Sequence, residues 1–281
     1  MSGRGFVRAG YCALATAAVL TTAMAGAPAR AAEDRRVALS YEVHIGGIHG
    51  LKAETVLQRA GERFVAEAQV AKSGLFAIVS KFYRARHVSR GRIVDGRVQP
   101  DESVIQINSG NDARAMRASY FDGGALRFAQ NPEFTPRSGR EVGEDLLEGA
   151  WDPLMAALAV VMDRREPCGG PVPIFDGRYR FDLDMKPLGR QRLETDGYRL
   201  RGQALLCEVR IRRIAGYKPD DGSGDEGPNK PARLWLGAVD DTGWMYPLRL
   251  EVDTGFGTAV GNLRAIDSRP LSATERAALD R

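Results

Sequence analysis

Three histidines, His44, His49 and His87, set the bounds on acid–base and metal chemistry in the 281-residue chain. His44 and His49 are five apart, which on one regular strand puts them on opposite faces, so a shared metal would need a bend at Gly46-Gly47. A serine hydrolase would need a positioned nucleophile, yet the chain has neither a G-x-S-x-G elbow nor a Ser-x-x-Lys pair of the penicillin-binding type. Triads are defined by geometry and not by order, so spacing alone leaves one open, and it would have to gather polar groups around a histidine. Residues 222–227 match G-x-G-x-x-G literally. There, however, Asp220, Asp221, Asp225 and Glu226 would repel a pyrophosphate, and Pro228 stands where a helix should open. The same carboxylates on a Gly-rich turn suit calcium better, but no glutamate closes a twelve-residue loop. No carboxylate spacing singles out a glycosidase pair. The chemistry-bearing residues therefore give no catalytic set, no metal ligands and no cofactor, and the reading is of a non-enzymatic protein.

The cysteines and the first 31 residues speak to compartment. Arg4 and Arg8 precede an apolar run, Ala9 to Ala25, which leads to a small-x-small site at Ala29-Arg30-Ala31. This is the plan of a secretory signal peptide over 1–31, leaving a single β-rich domain over 32–281 with no transmembrane segment. Cys12 lies at the start of the apolar run, not at its end, and leaves with the leader. Cys168 and Cys207 remain, and an even count in an oxidising compartment favours a disulfide, with two buried thiols as the alternative. The formal charge of +4 is also an effect of the leader: without its three arginines, 37 basic residues face 36 acidic ones. That balance removes the compositional case for nucleic acid or a membrane surface as partner.

Most of the chain alternates with period two. Phe64, Ala66, Ala68 and Val70 alternate with Val65, Glu67 and Gln69; Cys207, Val209 and Ile211 with Glu208, Arg210 and Arg212; Leu248, Leu250 and Val252 with Arg249, Glu251 and Asp253. Asp-Gly steps at 95–96, 122–123, 176–177 and 196–197 supply the positive φ of tight hairpins, and the long Asp-, Gly- and Pro-rich stretch from Pro219 to Pro231 reads as an exposed hairpin loop. The pattern predicts a mainly β protein: a strongly curved antiparallel sheet or incompletely closed barrel. Two helices interrupt it. Asp152-Pro153 is an N-cap followed by a first-turn proline, and Leu154 to Met162 is apolar on nearly every side, which predicts a buried helix. Ser272 and Glu275 form a capping-box pattern for a short C-terminal helix.

The run from Ser73 to Tyr83 is apolar on both parities. Either the buried helix covers one of its faces or that face lines an apolar groove.

The order of these features resembles an exported bacterial family catalogued as domain of unknown function 3108, in its alphaproteobacterial branch. The likeness runs through Tyr41-Glu42-Val43, Gly46-Gly47, Ser89-Arg90-Gly91, Arg97-Val98-Gln99-Pro100, Asp152-Pro153, Phe175-Asp176-Gly177 and Tyr246-Pro247-Leu248-Arg249-Leu250-Glu251. It covers roughly Val37 to Ile266, and the pair Cys168 and Cys207 carries the likeness to that branch. It implies a periplasmic, mostly antiparallel β protein similar in architecture to the lipoprotein carriers, an open barrel with a helix inside, and it implies no catalytic motif. The expectation is a cell-envelope protein that binds a lipid or other hydrophobic ligand in its concavity, with Phe76, Ile78, Trp151 and Met155 as the lining. The alternative is an envelope scaffold with a self-filled core that acts through its surface.

Overall fold

The computed structural model describes residues 34–279 except 75–82, 110–111, 122–125, 133–140, 163–165, 194–197, 199–201, 218–229, 241 and 256. In chain order the strands are β1 (Arg35–Ile45), β2 (Ile48–Ala60), β3 (Arg63–Lys72), β4 (Tyr83–Val94), β5 (Arg97–Ser109), β6 (Asp112–Tyr120), β7 (Leu126–Asn131), β8 (Val172–Phe175), β9 (Arg180–Gln191), β10 (Ala204–Ala215), β11 (Ala232–Gly237), β12 (Tyr246–Thr254) and β13 (Gly257–Pro270). Helix α1 spans Pro153–Met162 and α2 spans Ala273–Leu279, and a 3-10 turn covers Glu144–Leu146. All thirteen strands form one antiparallel sheet in the order β7-β6-β5-β4-β3-β2-β1-β13-β12-β11-β10-β9-β8. Neighbours in the sheet are neighbours in sequence except where β1 pairs with β13, so the chain is a meander folded back on its own beginning. The expectation of a curved, incompletely closed antiparallel sheet with a buried helix and a short C-terminal helix holds.

The turn chemistry works as the dipeptides indicate. Asp95 and Gly96 have φ of 51° and 76°, the two positive values that a two-residue β4–β5 hairpin requires. Among the glycines, Gly91 answers to packing: a Cβ there would come 2.3 Å from the Gln99 carbonyl oxygen and 3.0 Å from the Phe64 ring. The Asp122-Gly123 and Asp196-Gly197 steps lie outside the described residues, as does all of the Pro219 to Pro231 loop except Lys230 and Pro231. At the C-terminus the capping box forms. Ser272 Oγ and the Ser272 amide donate to Glu275 Oε2 at 2.8 and 2.9 Å, and the Glu275 amide donates to Ser272 Oγ at 3.3 Å.

Among the described residues no ladder joins the two ends of the sheet, yet they meet. Phe128 on β7 and Phe175 on β8 stand edge to face with centroids 4.9 Å apart. The chain leading into α1 fills the junction. The Trp151 amide donates to the Pro173 carbonyl, the Phe175 amide donates to the Trp151 carbonyl, and Arg180 Nε on β9 donates to the Leu146 carbonyl at 2.8 Å. The seam is thus closed by side chains and one short parallel bridge, Trp151 to Ile174.

Alternation predicts burial well but not everywhere. Phe64 and Ala66 are buried, and so are Leu248 and Cys207, whereas Ile211 and Leu250, expected on an inward face, are 42% and 41% exposed. Leu250 lies opposite Gly261, which offers no side chain to cover it.

Cys168 and Cys207 are joined as a disulfide with Cα atoms 5.9 Å apart, and the bridge packs with Leu236 and with Val160 of α1. It ties the exit of the helix to β10 across a sequence separation of 39. Replacing both cysteines with serine should cost about 4 kcal/mol in the chain-entropy account of such a loop. The denaturant midpoint of the folded variant measures it, and an unchanged midpoint would refute the assignment.

Candidate functional site

Two features of the described residues could carry function: a buried polar cluster at the start of α1, and an apolar wall on the side of the sheet that faces α1.

The polar cluster is built on Asp152. Its Oδ1 accepts the Leu154 and Met155 amides at 3.0 and 3.1 Å, the N-cap that the Asp-Pro step foretells. The same oxygen accepts from Ser89 Oγ on β4 at 3.2 Å and lies 2.8 Å from His87 Nε2. Its Oδ2 accepts from the Tyr120 hydroxyl on β6 at 2.8 Å, and that hydroxyl in turn accepts the Asp152 amide at 2.7 Å. Ser103 on β5 completes the group, its Oγ 2.7 Å from His87 Nε2 and 3.2 Å from Ser89 Oγ. A carboxylate only accepts, so His87 carries a proton on Nε2. Burial pushes the Asp152 carboxyl up, but His87, the Tyr120 hydroxyl and the Met155 amide together hold it below the usual carboxylate range. Burial, and then the Asp152 charge, pushes the Tyr120 phenol up, so it stays a donor.

A polar cluster around a histidine is what a hydrolase would need, and here the geometry argues otherwise. A relay places the acid on one imidazole nitrogen and the serine on the other. In this cluster one nitrogen, Nε2, meets both. Ser103 is 1% exposed and Asp152 2%, so no substrate reaches them. The arrangement anchors the helix to three strands at once. Sequence reading identified Asp152 as a cap but not its partners, because His87, Ser89, Ser103 and Tyr120 are separated from it by 32 to 65 positions.

The bend at Gly46-Gly47 that would bring the other two histidines together is present, with φ of 57° and 83°. His44 and His49 do not share a strand: they are cross-strand partners in the β1–β2 hairpin, beyond a register shift at Val43/His44, and their rings stack with centroids 5.1 Å apart. His49 Nε2 also lies 3.3 Å from Ser73 Oγ. Among the described residues no three His, Cys, Asp or Glu side chains are grouped to hold a metal ion.

The apolar wall follows from register. Paired residues in an antiparallel sheet share a face. Val37, Leu57, Phe64, Ala66, Ile93 and Val98 pack in one cluster with Leu154, Met155, Leu158, Val161 and Met162 of α1. Following the same face along the strands toward the β1–β2 turn, the pairs Tyr41–Ala53, Ala53–Val70, Val70–Ala85 and Ala85–Ile107 form one row across five strands. Leu39–Thr55, Thr55–Ala68, Ala68–His87 and His87–Ile105 form the row before it, which still touches the helix through Leu39, Ala68 and the His87 contact with Asp152, and Val43–Leu51 the row beyond. These residues are half-buried, in contrast to the buried ones around the helix. Burial still pushes the Tyr41 phenol up. The opposite face of the same strands carries Glu42, Glu54, Glu67, Arg86 and Glu102, with Arg86 and Glu67 paired at 2.7 Å and Arg117 of β6 paired with Glu102.

Length explains why the wall outruns the helix. Ten residues of α1 span about 15 Å at 1.5 Å per residue, while the 13 residues of β2 extend about 43 Å. Of the four lining residues expected from the sequence, Phe76 and Ile78 lie outside the described residues. Met155 is fully buried within the helix cluster, and Trp151 is half-buried against it, with its backbone bridged to β8. The two described positions thus belong to the packed, helix-filled part of the face. The rows from Leu39 to Ile107 were not singled out from the sequence, because which strands lie side by side is not visible in it.

A family model described as "Protein of unknown function (DUF3108)" matches residues 40–264. No curated protein matches the chain. Among the described residues no helix is long and apolar enough to cross a membrane.

Replacing Asp152 with alanine removes the cap and strands the donors of Ser89, His87 and Tyr120, at a cost of about 3–4 kcal/mol. Urea unfolding measures it, and a loss below about 1 kcal/mol would show that the cluster is not the anchor. The carboxyl is depressed in the folded state, so its contribution is complete above the ordinary value near 4 and is withdrawn as pH falls through the lower folded value. Asp152→Asn should flatten that part of the acid limb when tryptophan fluorescence is followed from neutral pH downward.

Proposed function

The chain belongs to the DUF3108 family, whose description names no activity, and we propose that it is a non-enzymatic periplasmic protein of the cell envelope that binds a hydrophobic ligand against the helix-side wall of its sheet. The observation that carries this reading is the run of half-buried apolar residues on β1 to β5 beyond the end of α1.

Side-chain size supports it. Around the helix the face carries Phe64, Leu57 and Ile93. Farther along, β2 to β4 present the small side chains of Ala53, Val70 and Ala85. Water on such a surface is the reservoir of binding energy: each ~40 Å² of apolar ligand surface withdrawn contributes about 1 kcal/mol before ordering costs. The charged groups of these strands lie mostly on the other face, where ion pairs such as Arg86–Glu67 contribute little to stability but keep that face wet. Export through the leader would place such a protein beside envelope lipids. The rival reading, a scaffold with a self-filled core, predicts no ligand at all.

Two measurements separate them. Denaturing mass spectrometry of natively purified protein should find a lipid near one per chain, and the stripped protein should bind the neutral fluorescent probe N-phenyl-1-naphthylamine. The double variant Val70→Glu, Ile105→Glu, checked for its fold by circular dichroism, should weaken probe binding at least about tenfold, since a charge on this wall costs more than 1.4 kcal/mol to cover with an apolar ligand. A clean extract together with no probe binding refutes the proposal. A folded double variant that binds as well as the parent places the site elsewhere.

A further inference from the structure

We infer that His44 and His49 chelate a zinc ion at the closed end of the β1–β2 hairpin. His44 lies two residues after Glu42 on β1, so the pair stands on the charged face of the sheet and the site is independent of the proposed hydrophobic one.

The spacing of the two rings carries the inference. Their centroids are 5.1 Å apart. With zinc–nitrogen bonds of about 2.1 Å and a tetrahedral angle between them, two imidazoles on one zinc ion have centroids about 5.2 Å apart. A square arrangement, which copper(II) prefers, would bring them to about 4.5 Å. Cross-strand pairing therefore already holds the rings at the separation that a shared tetrahedral ion sets. His49 has a partner that orients it. Ser73 Oγ lies 3.3 Å from Nε2, so with Nε2–H donating to that hydroxyl the lone pair for a metal is on Nδ1. Among the described residues the His44 ring has no hydrogen-bond partner, and its broad χ2 torsion lets it turn a nitrogen toward the same ion.

The backbone fixes the pair from both sides. The Gly46 amide donates to the Thr258 carbonyl of β13 at 3.1 Å, and the Ser73 amide donates to the Gly50 carbonyl at 3.0 Å. Ligands on strands held in this way need little ordering when the ion binds. The nearby charge is balanced. Glu42 pairs with Arg264 at 2.7 Å, and Lys52, opposite Glu42, pairs with Glu54 at 2.8 Å. Lys72, next to Ser73, turns to the other face with Leu51. An incoming cation thus meets no net positive charge from the groups of this face. Two protein nitrogens leave two positions of the tetrahedron to water, so the ion is exchangeable and acts as a clip between β1 and β2.

The experiment is calorimetric titration of zinc(II) into the metal-stripped, disulfide-bonded protein carrying no affinity tag. One zinc ion per chain should bind. His44→Gln and His49→Gln, checked for their fold by circular dichroism, should each weaken binding at least about tenfold, and Ser73→Ala by about tenfold, the scale on which such orienting partners act. Zinc should raise the thermal midpoint of the parent but of neither histidine variant. In the NMR spectrum the ring protons of His44 and His49 should shift with zinc while those of His87 stay in place. Calcium, which seeks oxygen ligands, should not compete. Absence of binding, binding that survives both histidine substitutions, displacement of zinc by calcium, or zinc that leaves both ring spectra unmoved each overturns the inference.

Discussion

The structure depends on one buried carboxylate. Asp152 caps α1 and at the same time takes hydrogen bonds or close polar contacts from β4 and β6, while the residue before it, Trp151, is bonded through its backbone to β8. Strands from both arms of a thirteen-stranded meander are thereby fixed to the first turn of one helix. Among the described residues the sheet has no ladder between β7 and β8, so these contacts, with Phe128 against Phe175, hold its ends together. An ionised carboxylate this deep is tolerated because every donor around it points at it, and removing any of them would leave part of its charge unsolvated.

With the helix held there, the rest of the wall follows. A helix of ten residues fills only part of a face made by strands of 10 to 13 residues. Where it fills the face, the packing is specific: Phe64 passes over Gly91, and a methyl group at that glycine would collide with backbone and ring alike. Beyond the helix the described face continues through Ala53, Val70 and Ala85, bounded by Tyr41 of β1 and Ile107 of β5.

Much of the architecture was legible because it rests on local chemistry. Period-two alternation, Asp95-Gly96, the Asp152-Pro153 start and the Ser272/Glu275 box are each written within a few residues, and each acts in the structure as its type requires. What was not legible is long-range. The pairing of β1 with β13, the cross-strand stacking of His44 on His49, and the convergence of His87, Ser89, Ser103 and Tyr120 on Asp152 all depend on which strands become neighbours. An excess of apolar residues in two segments suggested Phe76, Ile78, Trp151 and Met155 as lining; Met155 and Trp151 pack within the helix cluster, and the other two lie outside the described residues. The row from Tyr41 to Ile107 acquires meaning only when five strands align it.

The distribution of hydrogen bonds also bears on how such a wall could receive a ligand. Twelve of the thirteen strand junctions that a closed barrel would need are backbone ladders, which resist sliding because a shift of one residue would turn every apolar side chain to the charged face. Among the described residues the β7–β8 junction has no ladder; rings, a short bridge and the Arg180 to Leu146 bond hold it. Widening the concavity costs least where the fewest cooperative hydrogen bonds must break, so any opening of the sheet concentrates at this seam. The Asp152 cluster lies directly beside it, and the strength of that cluster therefore sets how far the two arms can part before α1 leaves the wall it fills.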